Sequence, residues 1–343
     1  MPFLNTRIQT GILLGTSALL ALLTLIPAQA AETAWSWRTE GPLLTPRRVE
    51  GEDWISLKDP SVVREGGRWH LFCTVRGTRR SHAILYTSFE KWTSAETSPR
   101  TILPCHTGYF CAPQVFYFSP HRQWYLICQA SDPAWSPEYQ PSFATNASVG
   151  DPTAWSRLRP MWANAGAAPK PWLDFWVICD DRKAHIFFTS LDGKMWRSET
   201  TLARFPLGWN TPTLAIQGDI FEASHTYRVL GQNRYLTFVE AQNGDGWRYF
   251  KSYFADRLEG PWVPDAAERE KAFASMRNVS QPNGRWTDVV SHGELLRAGT
   301  NERLEVDLDQ LKLLIQGVRD SDRAGKPYGQ IPWRLGMLDL TPP

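Results

Sequence analysis

The sequence predicts an all-β chain folded as a five-bladed β-propeller, and three observations carry that prediction. Short runs of β-branched and aromatic residues recur along the chain, separated by Gly, Pro and Ser turns. These runs group into five similar units of about 45 to 60 residues, in the range of a propeller blade. Helical periodicity is nearly absent, with Ala266 to Ala274 the one stretch that would make a turn or two. Regular short strands do not by themselves fix closure, so a β-sandwich is the competing architecture.

The first thirty residues stand apart from the fold. Arg7 supplies a positive start, Gly11 to Ile26 is an apolar run, and Ala28-Gln29-Ala30 is a small-residue cleavage site. That order reads as a secretory signal peptide over 1–30, with a single exported domain over 31–343 and no membrane association after cleavage. The apolar run is short for a spanning helix.

Ala34-Trp35-Ser36-Trp37 opens the domain as a short alternating strand. Unit one runs from Pro60 to Glu65, through the Gly66-Gly67 turn, to Arg68–Val75 and His82–Ser88, with the Trp92 region as its fourth strand. Unit two takes Gln114 to Ser119, Gln123 to Gln129, Ser142 to Thr145 and Trp155. Unit three begins with Phe175 to Asp180 and His185 to Ser190. Unit four takes Thr226 to Leu230, Tyr235 to Val239 and Phe250 to Ala255, and unit five Val289 to Arg297, Leu304 to Asp307 and Leu311 to Gly317. The last strand, Trp333 to Leu338, pairs with the Trp35 strand if the ring closes on itself.

Composition narrows the function. A formal net charge of +2 on 343 residues argues against a nucleic-acid partner held by phosphate neutralisation. With Trp 17, Phe 16 and Tyr 10, the chain has many flat apolar rings, and most must pack the core. Of the five cysteines, Cys105 and Cys111 flank the polar stretch 106–110 and are the disulfide candidate. Cys73, Cys128 and Cys179 lie in apolar runs and read as buried thiols. No C-x-x-C pair exists, so neither redox chemistry nor a structural zinc site is expected.

Three units begin with a carboxylate at a comparable place: Asp59 before Pro60, Asp174 before Phe175, and Glu222 before Ala223. In a propeller the inner strands line one channel, so matching positions in different blades converge. Carboxylates crowded in that way raise at least one pKa, leaving one group ionised and another protonated. That division is what an acid and a base need on a neutral substrate. Each has a plainer reading. Asp-Pro is a common strand-start dipeptide, and Glu222 with His225 farther along the same face would serve as a small ligand cluster. Asp174, flanked by Leu173 and an apolar run, is the hardest to explain without a role.

Seven segments carry a resemblance, among them Leu57-Lys58-Asp59-Pro60-Ser61, Trp172-Leu173-Asp174-Phe175-Trp176, Phe221-Glu222-Ala223-Ser224-His225 and Asp288-Val289-Val290-Ser291-His292. In these the chain resembles glycoside hydrolase family 62, secreted α-L-arabinofuranosidases acting on arabinoxylan. The resemblance implies a five-bladed propeller and an inverting mechanism, and a monomer is expected. Asp59 would be the general base, Glu222 the general acid, and Asp174 the residue that sets the acid's pKa and orients it. Lys58 would line the arabinose pocket, and Trp247 and Tyr328 its wall. His292 matches a central histidine near a bound structural calcium ion, although calcium prefers hard oxygen ligands and a buried structural role is equally open. No cofactor is expected for catalysis.

Two departures from the family pattern stand out. Many members carry Asn after the tyrosine matched by Tyr328, where this chain has Gly329 followed by Gln330, the remaining candidate sugar contact. The segment Lys271-Ala272-Phe273-Ala274-Ser275 replaces a loop that members often begin with Pro. Trp135, among Pro133, Pro137 and Tyr139, is the candidate exposed aromatic on the polymer groove, with a loop anchor as the other reading.

Overall fold

Five separate, mainly antiparallel sheets account for the strands in a computed structural model that describes residues 35–162, 168–242 and 247–341. The expected signal peptide lies outside the described residues. Blade one is built on Glu52–Glu65, Arg68–Gly77, Ala83–Phe89 and Arg100–Ile102, with Arg48–Val49 at its edge. Blade two stacks Phe110–Phe118, Gln123–Ser131, Tyr139–Asn146 and Arg159–Pro160; blade three stacks Leu173–Cys179, Lys183–Thr189, Lys194–Thr201 and Thr213–Gln217. Blade four runs outward through Glu222–Val229, Tyr235–Ala241, Tyr249–Ala255 and Val263–Pro264. Blade five joins Ser291–Leu295, Lys312–Gly317 and Arg334–Leu340 to the N-terminal Trp37–Arg38.

Closure is settled by two observations. Trp37 pairs with Leu340 and Arg38 with Asp339, so the first described strand completes the last blade. The five inner strands also touch in cyclic order, the fifth returning to the first. A sandwich has no such cycle. The inner strands are buried on both faces, as Ser56 to Val63 illustrates with Ser56–Val63 wholly buried, and they read as near-continuous runs for that reason.

Several boundaries differ from expectation. Trp92–Ser94 is a 3₁₀ turn, and blade one takes Arg100–Ile102 as its fourth strand. Glu305–Val306, expected in unit five, lies parallel to Arg228–Val229 on blade four. The 266–274 stretch forms bridges, Ala267 to Ala272 and Phe250 to Ala274, while the short α-helix falls at Asp320–Arg323. Among the described residues no helix is long and apolar enough to cross a membrane.

The channel is tied together by side chains crossing from blade to blade. At one level Val115 N–H donates to Ser61 Oγ (3.0 Å), Val177 N–H to Gln114 Oε1 (2.7 Å) and Trp176 Nε1 to Thr226 O (2.8 Å). Leu295 N–H donates to the Tyr227 hydroxyl (3.1 Å), and Arg297 Nη2 closes the circuit on Val62 O (3.0 Å). Such bonds are worth about 1 kcal/mol each when made, and more is lost when a buried partner is orphaned. Trp37, Trp172, Trp176 and Trp333 are fully buried around this frame, as expected of most of the tryptophans.

Candidate active site

Every inner strand carries a bulge that holds one non-glycine residue at positive φ. They are Asp59 (48°), Ala112 (51°), Asp174 (56°), Ala223 (53°) and His292 (21°). In each blade the register slips by one residue at that point, for example between Lys58 and Ser61 and between Leu173 and Trp176. A bulge re-aims side chains, and here it does so once per blade at one level of the channel. Asp and His tolerate positive φ better than most residues, whereas each such position costs on the order of 1–3 kcal/mol.

The bulge N–H groups are satisfied across blades. Asp59 donates to Gln316 Oε1 (3.0 Å), Ala112 to Thr74 Oγ1 (2.8 Å), Asp174 to Gln129 Oε1 (3.0 Å), Ala223 to Asp174 Oδ2 (3.0 Å) and His292 to Glu240 Oε2 (2.7 Å). The belt brings the expected carboxylates together. His292 Nδ1 lies 3.3 Å from Asp59 Oδ1 and 3.8 Å from Asp174 Oδ2, and Asp174 in turn holds the backbone next to Glu222.

Their electrostatics differ. Burial would raise the Asp59 pKa, but His292 in its protonated form, Lys58 and the Thr74 hydroxyl outweigh it and bring Asp59 below the ordinary carboxylate value. His292 is itself pushed down by burial, so the imidazole is neutral near pH 7 and Lys58 is the dependable cation. Lys58 is held above its ordinary value: burial opposes the charge, and Asp59, Tyr328, Cys111 and Glu222 more than offset it. Asp174 goes the other way, raised well above the usual range by burial and by Glu222 and Asp59, against the Ala223 N–H. The two carboxyls are therefore driven in opposite directions, Asp59 toward the ionised form and Asp174 toward the protonated one.

Sequence reasoning missed two groups that complete the site. Arg248 Nη1 sits 2.9 Å from Glu222 Oε1, 2.9 Å from Glu240 Oε1 and 2.8 Å from Ser291 Oγ. Glu240, wholly buried, is pushed up to about 7, chiefly by burial and by Glu222, with Arg248 pulling against them. The argument applied to Asp174 would have found Glu240, a carboxylate inside the apolar run Thr237–Ala241.

Among the candidate substrate contacts, Lys58 Nζ lies 5.1 Å from the Tyr328 ring centre. Tyr328 is 49% exposed as a residue, while its phenol end faces Lys58, Glu222, Arg248 and Asp59, and burial there raises its pKa to about 12. Gln330 is exposed and lines a cavity of about 790 Å³ that lies beside the carboxylates rather than around them. Trp247 stacks instead with Tyr249 (5.5 Å), Arg269 (4.7 Å) and Arg277 (5.7 Å), and its neighbour Arg248 makes the contacts with Glu222. Trp135 is half-buried and stacked on His106 at 6.0 Å, which makes it a loop anchor rather than a free platform. His225 stacks on Trp176 at 4.1 Å and burial drives its pKa well down, so it packs as a neutral ring under the site.

One expectation is corrected. Cys105 and Cys111 are both free buried thiols. Cys111 Sγ bonds the Tyr109 hydroxyl (3.0 Å) and Gln129 Nε2 (3.2 Å), and burial pushes both thiols up to about 12. His292 Nδ1 faces Asp59 and Asp174, and among the described residues His292 is not part of a group of three or more side chains with metal-ligand geometry. Among the described residues, the group with metal-ligand geometry is Asp180, His185 and Glu259. It lies elsewhere, and Lys183 and Arg197 already sit against its members.

The matches to known proteins follow the same site. The family model described as glycosyl hydrolase family 62 matches residues 36–339. The chain is 38% identical over 323 residues to alpha-L-arabinofuranosidase C of Cellvibrio japonicus, covering 92% of this chain but only 49% of that protein, about half its length. Among solved structures, the catalytic domain of the Coprinopsis cinerea GH62 alpha-L-arabinofuranosidase superposes with a TM-score of 0.82 at 35% identity, over 90% of this chain and 98% of that one. The Podospora anserina alpha-L-arabinofuranosidase, solved with cellotriose, gives a TM-score of 0.80 at 33% identity over the same shares. With nearly the whole described propeller matched, the chain belongs to glycosyl hydrolase family 62.

Proposed function

We propose that the protein is a secreted α-L-arabinofuranosidase that removes arabinofuranosyl side groups from arabinoxylan by inverting hydrolysis. The observation that carries this reading is the meeting of Asp59 and Asp174, from two blades, on one imidazole nitrogen, with Glu222 of a third blade fixed beside them. The names of the similar proteins support it.

In this reading Asp59, kept ionised by Lys58, takes a proton from water as its oxygen attacks the anomeric carbon. The glycosidic bond breaks, and Glu222 gives its proton to the departing xylose oxygen. Asp174 orients Glu222 through the Ala223 N–H, and Arg248 fixes the Glu222 carboxylate from its other side. Lys58 and Tyr328 wall the sugar pocket, and Gln330 extends it toward the polymer. All proton transfers are assigned to carboxylates, with no step routed through a metal. Cleavage behind Ala30 would release a monomeric single domain, residues 31–343, to act outside the cell.

Proton NMR of a fresh arabinoxylan digest tests the reading. β-configured free arabinose should appear first from the wild-type protein. Glu222→Gln and Asp59→Asn, melting like wild type, should lower kcat about 10²–10⁴-fold. Free α-configured arabinose at early times would rule out inversion, and no arabinose from folded wild-type protein would rule out the activity.

A further inference from the structure

The cavity beside the carboxylates has an unusual lining: Arg76, Lys326 and Arg334 face it, and no acidic residue does. Arg334 is committed to Asp322 at 2.9 Å. Arg76 has no ion pair among the described residues, and its Nε is shut away from water with no acceptor. Arg80, Arg100 and Arg297 share that unpaired Nε but bond through their outer nitrogens, whereas the half-buried Arg76 has no carboxylate partner among the described residues and leaves its guanidinium open to an anion.

Its position ties it to the reaction. Arg76 sits opposite Ser56, and Thr74 sits opposite Lys58 on the same pair of strands. Two residues along a strand span about 7 Å, so Arg76 lies within a sugar or two of Lys58 and Asp59. Against the guanidinium lies Gly329, next to Tyr328. A Cβ at position 329 would stand 2.4 Å from the Arg76 guanidinium carbon. The glycine that departs from the family pattern is thus what gives Arg76 its room.

We propose that this groove binds the carboxylate of a uronic acid side group carried on the xylan chain near the arabinofuranosyl group being removed. The inference rests on the arabinofuranosidase reading. Arg76 supplies a planar fork that matches a carboxylate, and exposed Lys326 adds attraction at longer range. A polymer held at the carboxylate site continues into this groove, and uronic acids are the anionic substituents that xylan carries.

Two measurements test it together. The first is kcat/KM for arabinose release from a neutral arabinoxylo-oligosaccharide and from the same compound bearing a glucuronosyl group on a neighbouring xylose. Wild type should favour the acidic substrate about tenfold, and the preference should shrink as salt rises. Arg76→Gln should abolish the preference while holding the neutral rate within about twofold. Gly329→Asn, which displaces the guanidinium, should abolish the preference as well. Equal rates on both substrates in wild type, or an equal fall on both in Arg76→Gln, would overturn the proposal.

The second measurement is calorimetric titration of a glucuronosyl xylo-oligosaccharide that carries no arabinose, against its uncharged counterpart. Tighter binding of the acidic ligand by wild type, lost in Arg76→Gln, supports the groove whatever the enzyme cleaves. If that difference persists while no arabinose is released from either substrate, the arabinofuranosidase reading fails and the groove stands. If inorganic phosphate or free glucuronate displaces the ligand as well as the oligosaccharide binds, the groove is a general anion site and the uronosyl assignment fails.

Discussion

Blades two and three share one backbone and differ in what they do with it. Both have a bulge at the same level, at Ala112 and Asp174, and both offer a second-strand residue opposite the position just before it, Gln129 in blade two and Thr189 in blade three. Gln129 reaches across to the next blade and accepts the Asp174 N–H. Thr74, Glu240 and Gln316 do the same from the matching position in blades one, four and five. Thr189 does not, and its buried hydroxyl finds no partner. Its place in the belt is taken by the carboxylate of Asp174 itself. The backbone belt is therefore a property of the fold, and blade three has moved one of its structural bonds onto a candidate catalytic group.

The comparison is broken most severely at Asp174. Asp174→Ala should orphan the Ala223 N–H and lower stability by about 1–3 kcal/mol, whereas Asp174→Asn keeps an acceptor there. Both should lose most activity, so urea unfolding alongside kcat separates the two duties. If the Ala and Asn variants unfold at the same urea concentration, the carboxylate is not a belt member.

Thr74 and Thr189 sharpen the same contrast. Thr74→Val removes the acceptor for the Ala112 N–H and should cost about 1–3 kcal/mol. Thr189→Val replaces a hydroxyl with no partner by a group of the same shape, and should be neutral or slightly stabilising. Thermal melts of the pair give the answer, and equal losses would show that the matching position is not what matters.

A smaller effect is expected in the pH profile. The base works when ionised, so activity is lost as pH falls through the Asp59 pKa, which the structure places below the ordinary value. Lys58→Met removes a cation that favours the ionised form, so that pKa rises. The acidic limb of kcat/KM should move to higher pH, and an unmoved limb would mean that Asp59 is not the group being read.

Much of this was legible in the sequence. Turn-separated aromatic runs gave five units because each strand and hairpin obeys local rules of propensity and turn chemistry. Asp174 drew attention because a carboxylate in an apolar run is costly without a role. The same signal stood at Glu240 and passed unnoticed. Arg248 sat in a matched segment, but the neighbouring Trp247 looked the better wall, since aromatic character shows in a sequence and side-chain direction does not. Cys105 and Cys111 looked paired because they are close along the chain, while the fold sends Cys111 toward Tyr109 and Gln129.

The sequence by itself determined most of the strands, the count of five units and the three carboxylates that enter them, since these follow from local pattern and the cost of burying charge. The tertiary structure alone decided ring closure through Trp37 and Leu340, the bulges that turn Asp59 and Asp174 toward one imidazole, and the pairing of Glu222 with Arg248. Those depend on contacts between residues far apart in the chain, whose distances and protonation no local pattern encodes.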